Sequence, residues 1–138
     1  MKIAVSACLL GENCKYNGGN NYSEKVMDFI GGHEVLAICP EVLGGLPTPR
    51  ESAEIVDGVV SHKDGSSVDV EFRRGAEIAL KMVLENQVDL VILQSRSPSC
   101  GVKSIYDGTF SGKTIQGQGV FAELLRKNNI ETMDVADL

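Results

Sequence analysis

Apolar and polar positions along this chain switch between a strand period and a helix period. Residues 2–9, "KIAVSACL", form a β-branched and small apolar run that soon meets Gly11. Residues 33–40, "HEVLAICP", form a second run, ended by a proline that cannot continue a ladder. Both are expected to be central strands. Between them Val26, Met27, Phe29 and Ile30 make one helical face, with Asn21 and Glu24 as a capping box and Gly31 as the stop. The segment 69–87 places Val70, Ala76, Ala79, Leu80, Val83 and Leu84 at helical spacing and leads into a strand at 88–93, "VDLVIL". Val120, Phe121, Leu124 and Leu125 predict a last amphipathic helix ending near Asn128 and Asn129, followed by a short strand in "IETMDV".

Two "DG" pairs interrupt this order. Asp57-Gly58 in "EIVDGVV" and Asp107-Gly108 in "IYDGTF" lie between β-branched or aromatic residues, the composition of two-residue type I′ hairpins. The expected architecture is a single compact α/β domain over residues 1–138. It has a mostly parallel open sheet, helices on both faces and inserted β-hairpins, in the Rossmann- or flavodoxin-like manner.

Composition narrows what such a fold works on. With 13 Lys+Arg against 19 Asp+Glu, the net charge of −6 offers no footprint for a phosphate backbone or an anionic lipid surface, which excludes a nucleic-acid polymer and a membrane as partners. No apolar run approaches the ~20 residues of a membrane helix. Val5-Ser6-Ala7-Cys8 has the form of a lipoprotein cleavage box, but only Ile3, Ala4 and Val5 precede the small residues, too few for a signal peptide. The expected location is therefore the cytoplasm, where four cysteines serve as metal ligands or reactive thiols rather than as disulfides.

Those cysteines fall at telling places. Cys8, Cys39 and Cys100 lie at or just past the carboxyl ends of three predicted strands, which share one edge of a parallel sheet, so the three thiols should converge. Cys14 sits in the loop after Cys8, on the same edge. One cysteine in a strand is commonly a small buried hydrophobe; three at equivalent strand ends point to a soft metal, namely zinc, copper(I) or iron–sulfur. Close C-x2-C pairs of the zinc-knuckle kind are absent. Spacing alone leaves open an iron–sulfur cluster and a dispersed zinc site on all four cysteines.

Three blocks, "SACLLGENCKYNGGNN", "CPEVLGGLPTPRESAEIV" and "SPSCGVKSIYDGTFSGKTIQGQGV", resemble the signatures of the bacterial family called domain of unknown function 523, whose characterised activity is thiouracil desulfurase. The resemblance covers nearly the whole chain. It implies a [4Fe–4S] cluster held by Cys8, Cys39 and Cys100, with the fourth iron open to the sulfur of a thiolated nucleobase. Cys14 is not a ligand in this carry-over. Glu41 corresponds to the family's catalytic acid/base and Ser97 to its serine partner. Chemistry agrees, because exchanging C=S for C=O needs an activated water and a polarised sulfur.

Other motif residues have supporting roles. Arg50 is placed to pair with a carboxylate or a substrate carbonyl, and Tyr16 either stacks on a pyrimidine or is a buried aromatic with its hydroxyl tied down. Gly44 and Gly45 allow tight backbone passage, while Pro47 and Pro49 stiffen the loop. His33 and His62 show no ligand spacing. "GTFSGKTIQGQG" lacks P-loop order, since Asp107 stands where the first glycine should be. Glu51 and Ser52 replace prolines frequent in the family, and Gln94 replaces a common lysine. The rival readings are another cluster-dependent sulfur transfer on a small molecule and a zinc- or cluster-binding module without turnover.

Overall fold

The computed structural model describes residues 1–138. The chain runs through β1 (Lys2–Ser6), a 3-10 turn (Ala7–Leu10), α1 (Glu24–Ile30), β2 (Glu34–Ile38), α2 (Pro40–Leu43), β3 (Ala53–Val56), β4 (Val59–His62) and α3 (Asp69–Glu85). It continues through β5 (Leu90–Leu93), β6 (Ser104–Tyr106), β7 (Thr114–Gln116), α4 (Val120–Lys127), β8 (Thr132–Asp134) and a closing 3-10 turn (Val135–Asp137). Four strands form one sheet in the order β2-β1-β5-β8. Every pairing in it is parallel, with Ile3 opposite Val35 and Ala4 opposite Val91. The β3–β4 and β6–β7 pairs are separate antiparallel ribbons.

Side chains alternate faces along a strand, and the two inner strands use both faces. Ile3, Val5, Leu90 and Ile92 pack with Leu9 and with Val26 and Ile30 of α1. Ala4, Val91 and Leu93 face the other way, into a larger core with Phe72, Ala76, Ala79 and Val83 of α3 and Phe121 and Leu125 of α4. Helices therefore cover both faces of a parallel sheet, as the α/β expectation requires.

Four expectations need correction. β2 is an edge strand, not a central one: Glu34, Val35 and Ala37 are exposed and only Ile38 is buried. Helix α1 is capped by Ser23, whose Oγ accepts from the Val26 N–H, so Asn21 and Glu24 form no capping box. Only Val26 and Ile30 of its apolar residues are buried, and in α3 Val70 and Leu84 face solvent. The Asp107-Gly108 pair does not close a two-residue hairpin, because β6 returns through β7 only after residues 107–113. That loop bonds elsewhere: the N–H groups of Gly108 and Phe110 both donate to Glu54 Oε1 on β3. Asp57-Gly58, by contrast, does join β3 directly to β4, with Asp57 and Gly58 both at positive φ as a type I′ turn demands.

Helices α2 and α3 meet at backbone contact. A Cβ on Gly75 would lie 1.8 Å from the Pro40 carbonyl oxygen, and one on Gly44 would lie 2.0 Å from that of Glu71. Only hydrogen fits there, and the contact fixes α2, which begins immediately after Cys39, against the body of the molecule.

Candidate functional site

The chain leaves β1 toward β2 on one side of the sheet and later returns as β5 on the other, so the order reverses at β1. Ligands of open α/β sheets bind outside the carboxyl ends of the strands at such a switch point. A cavity of about 480 Å³ opens there, and Cys8, Cys14, Cys39 and Cys100 all line it. Glu41, Arg50, Tyr16 and Ser97 line it too. The structure thus gathers every predicted site residue around one space. His33 and His62 do not line it, and neither does Glu51, whereas Ser52 and Gln94 do.

Each thiol is presented differently. Cys8 lies in the 3-10 turn after β1, with Asn21 Nδ2 at 3.5 Å from its sulfur. Cys39 is the residue between β2 and α2, and its sulfur sits 4.0 Å from the Cys14 carbonyl oxygen. Cys100 is buried at the end of the loop from β5. Burial pushes the Cys8 thiol up, and burial pushes Cys100 up to about 12. Cys39 goes the other way, lowered to about 7, chiefly by the neighbouring Cys14 thiol. The same pairing pushes the Cys14 thiol up. No three His, Cys, Asp or Glu side chains converge closely enough to hold a single metal ion; the thiols instead stand around the cavity.

Beside the thiols lies a carboxylate clamped on both oxygens. Arg50 Nε and Nη2 donate to Glu41 Oε1 at 3.1 and 3.0 Å, and the two side chains are only 6% and 16% exposed. The same guanidinium donates to the Cys14 carbonyl at 2.8 Å and to the Pro47 carbonyl and Thr48 Oγ1. Glu41 is thus the carboxylate expected to pair with Arg50. The other Glu41 oxygen, Oε2, accepts from Ser99 Oγ at 2.8 Å.

Ser99 is the residue that sequence reasoning missed. Ser97 makes no hydrogen bond to Glu41; the Ser99 hydroxyl stands between them, 2.9 Å from Ser97 Oγ. Ser97 also organises the loop, since its Oγ accepts from the N–H groups of Ser99 and Cys100. The start of α4 grips the same loop: Val120 N–H donates to the Pro98 carbonyl, and Phe121 and Ala122 N–H donate to that of Ser99. Gly119 allows this approach, because a Cβ there would lie 2.5 Å from the Ser99 carbonyl carbon. The only sequence signal for Ser99 is its place among serines in "SPSC". Tyr16 is 43% exposed, which corrects the buried alternative; Tyr106, inside the third block but given no role there, and Arg96 also line the cavity.

Fold and site together define an α/β protein with a thiol-ringed, small-molecule cavity at the switch point of a parallel sheet. Residues 3–137 match the model of the 2-thiouracil desulfurase family, and the chain belongs to that family. Its function is accordingly of the thiouracil desulfurase kind. The chain is 42% identical over 135 residues to the uncharacterized protein YbbK of Bacillus subtilis (strain 168), covering 91% of this chain and 89% of that protein. A solved structure of the [4Fe-4S]-dependent thiouracil desulfidase TudS superposes with a TM-score of 0.93 at 42% identity, covering 99% of this chain and 92% of that one.

Proposed function

We propose that residues 1–138 act as one iron–sulfur desulfurase domain that converts 2-thiouracil or 4-thiouracil to uracil and hydrogen sulfide by hydrolysis. The observation that carries this reading is the meeting of Cys8, Cys39, Cys100 and Glu41 on one cavity, in a chain 42% identical to a [4Fe-4S]-dependent thiouracil desulfidase. The donor set fits such a cluster. Thiolates are the soft ligands that iron–sulfur centres take, and three strand ends supply them from separate directions around a space rather than around a point. When bound, the cluster supplies a Lewis-acidic iron that polarises the substrate's carbon–sulfur bond.

The remaining work falls to the chain's own side chains. Glu41 is the general base that takes a proton from the attacking water, and Arg50 and Ser99 hold its two oxygens in place. Ser97 is its hydroxyl partner in proton handling. Tyr16 and Tyr106 offer ring faces at the cavity rim for a planar base. Cys14 stands beside Cys39, its carbonyl 4.0 Å from the Cys39 sulfur, and is assigned a supporting role rather than a ligand's. The reaction balances without electrons: water oxygen replaces sulfur on carbon, and both water protons leave as hydrogen sulfide.

All four cysteines are unpaired. No helix is long and apolar enough to cross a membrane. Purification without oxygen tests the reading: it predicts brown protein with about four irons and four sulfides per chain and turnover of thiouracil to uracil. Stoichiometric zinc in place of iron would favour the binding-module alternative.

A further inference from the structure

We infer that Ser99 is the middle member of a proton wire, Ser97–Ser99–Glu41, and is the positioning residue that lets carboxylate and serine act as one unit; this rests on the desulfurase reading above. The direction of the wire follows from counting protons. A serine hydroxyl has one proton and two lone pairs. Ser97 Oγ already accepts from two backbone N–H groups, of Ser99 at 3.1 Å and of Cys100 at 3.0 Å. Its lone pairs are spent, so its own proton points to Ser99 Oγ at 2.9 Å. The Ser99 proton then goes to Glu41 Oε2 at 2.8 Å, a far better acceptor than the Cys100 sulfur at 3.6 Å. At rest the order is Ser97 to Ser99 to carboxylate.

The wire can reverse. When Glu41 takes a proton from water, Ser97 releases the longer of its two backbone bonds, the 3.1 Å one from the Ser99 N–H, and turns its own proton to the departing sulfur; the freed lone pair accepts from Ser99, Ser99 accepts from protonated Glu41, and one proton passes along the line. One O–H bond forms and one breaks at each serine, and the net transfer is one proton from water oxygen to sulfur. Ser99 is only 2% exposed, so bulk water does not offer a parallel route at that point. The N–H groups of Phe121 and Ala122 fix its carbonyl, leaving its hydroxyl little freedom but to bridge.

The test uses holoprotein prepared without oxygen and 2-thiouracil as substrate. Ser99→Ala should keep the wild-type iron content, visible spectrum and KM, while kcat falls about 10²-fold, the lower end of general acid–base assistance. A proton inventory in mixed H2O and D2O should change from the bowed curve of several protons in flight to a straight line. Ser99→Thr, which restores a hydroxyl, should recover most of kcat and the curvature. Near-normal kcat with an unchanged inventory in Ser99→Ala would overturn the wire. So would loss of iron in both Ser99→Ala and Ser99→Gly, which would make the residue a structural support. A wild-type holoprotein inert toward both thiouracils would overturn the desulfurase reading and the wire with it, and that result is distinct from a working enzyme indifferent to Ser99.

Discussion

Arg50 is the side chain on which the site's geometry leans most. Its guanidinium ties Glu41, the Cys14 carbonyl, the Pro47 carbonyl and Thr48 into one corner while remaining almost fully buried. Removing one member of a buried, hydrogen-bonded pair leaves the other charge without compensation and typically costs about 3–5 kcal/mol. Arg50→Ala should lose that much in anaerobic urea unfolding. Arg50→Lys should lose nearly as much, because one ammonium cannot span acceptors arranged for a planar fork. The thiols differ measurably at the same scale. In cluster-free protein Cys39, lowered to about 7 by the neighbouring Cys14 thiol, should be the first alkylated by iodoacetamide at neutral pH, and buried Cys100 the last. The thiolate is the reactive form, so Cys39 labelling should slow as pH falls below about 7 while Cys100 stays slow throughout; peptide mass mapping reads both. Equal rates at the four cysteines would contradict this ordering.

At the scale of elements, the crossing of α2 and α3 positions the site from outside it. Gly75 on α3 touches the Pro40 carbonyl, one residue from Cys39 and one from Glu41. Gly75→Ala has no room at 1.8 Å and must push α2 outward, at a cost of at least the ~1–3 kcal/mol of an overpacked core. The expected signature is weaker iron retention along with the lost stability, although Gly75 does not line the cavity; iron analysis beside thermal melting checks it. Elements with strong periodicity were legible in the sequence: β1, β5, α3 and α4 appear where apolar spacing predicts them, and the Asp57-Gly58 turn chemistry alone predicts the β3–β4 ribbon. β2 was misread as central because its apolar composition says nothing about how many neighbours a strand has. The Asp107-Gly108 hairpin failed for a tertiary reason. Glu54, far away in sequence, supplies an acceptor for the Gly108 and Phe110 N–H groups, and that offer competes with direct strand closure.

For the whole molecule, the site is assembled from strand ends that only the folded sheet brings together. The cysteine edge was readable because parallel strands must end on one side, and the family resemblance named the thiols and the carboxylate that the structure places around one cavity. The bridge through Ser99 was not, since nothing local separates one serine of "SPSC" from the next. If three thiols hold the cluster, Cys8→Ser, Cys39→Ser and Cys100→Ser should each purify without iron, and Cys14→Ser should still take up about four irons on reconstitution. A Cys14→Ser protein that also stays colourless would show a four-thiol site. The grip of α4 on the loop carrying Ser97 and Cys100 bears, finally, on how such a protein is made. Cys8 and Cys39 emerge from the ribosome early, but Cys100 takes its place only once residues 119–122 have followed and the sheet has closed. If the cluster needs all three thiols, delivery of iron and sulfide would be a late event in the protein's life, addressed to a finished chain and not to a nascent one.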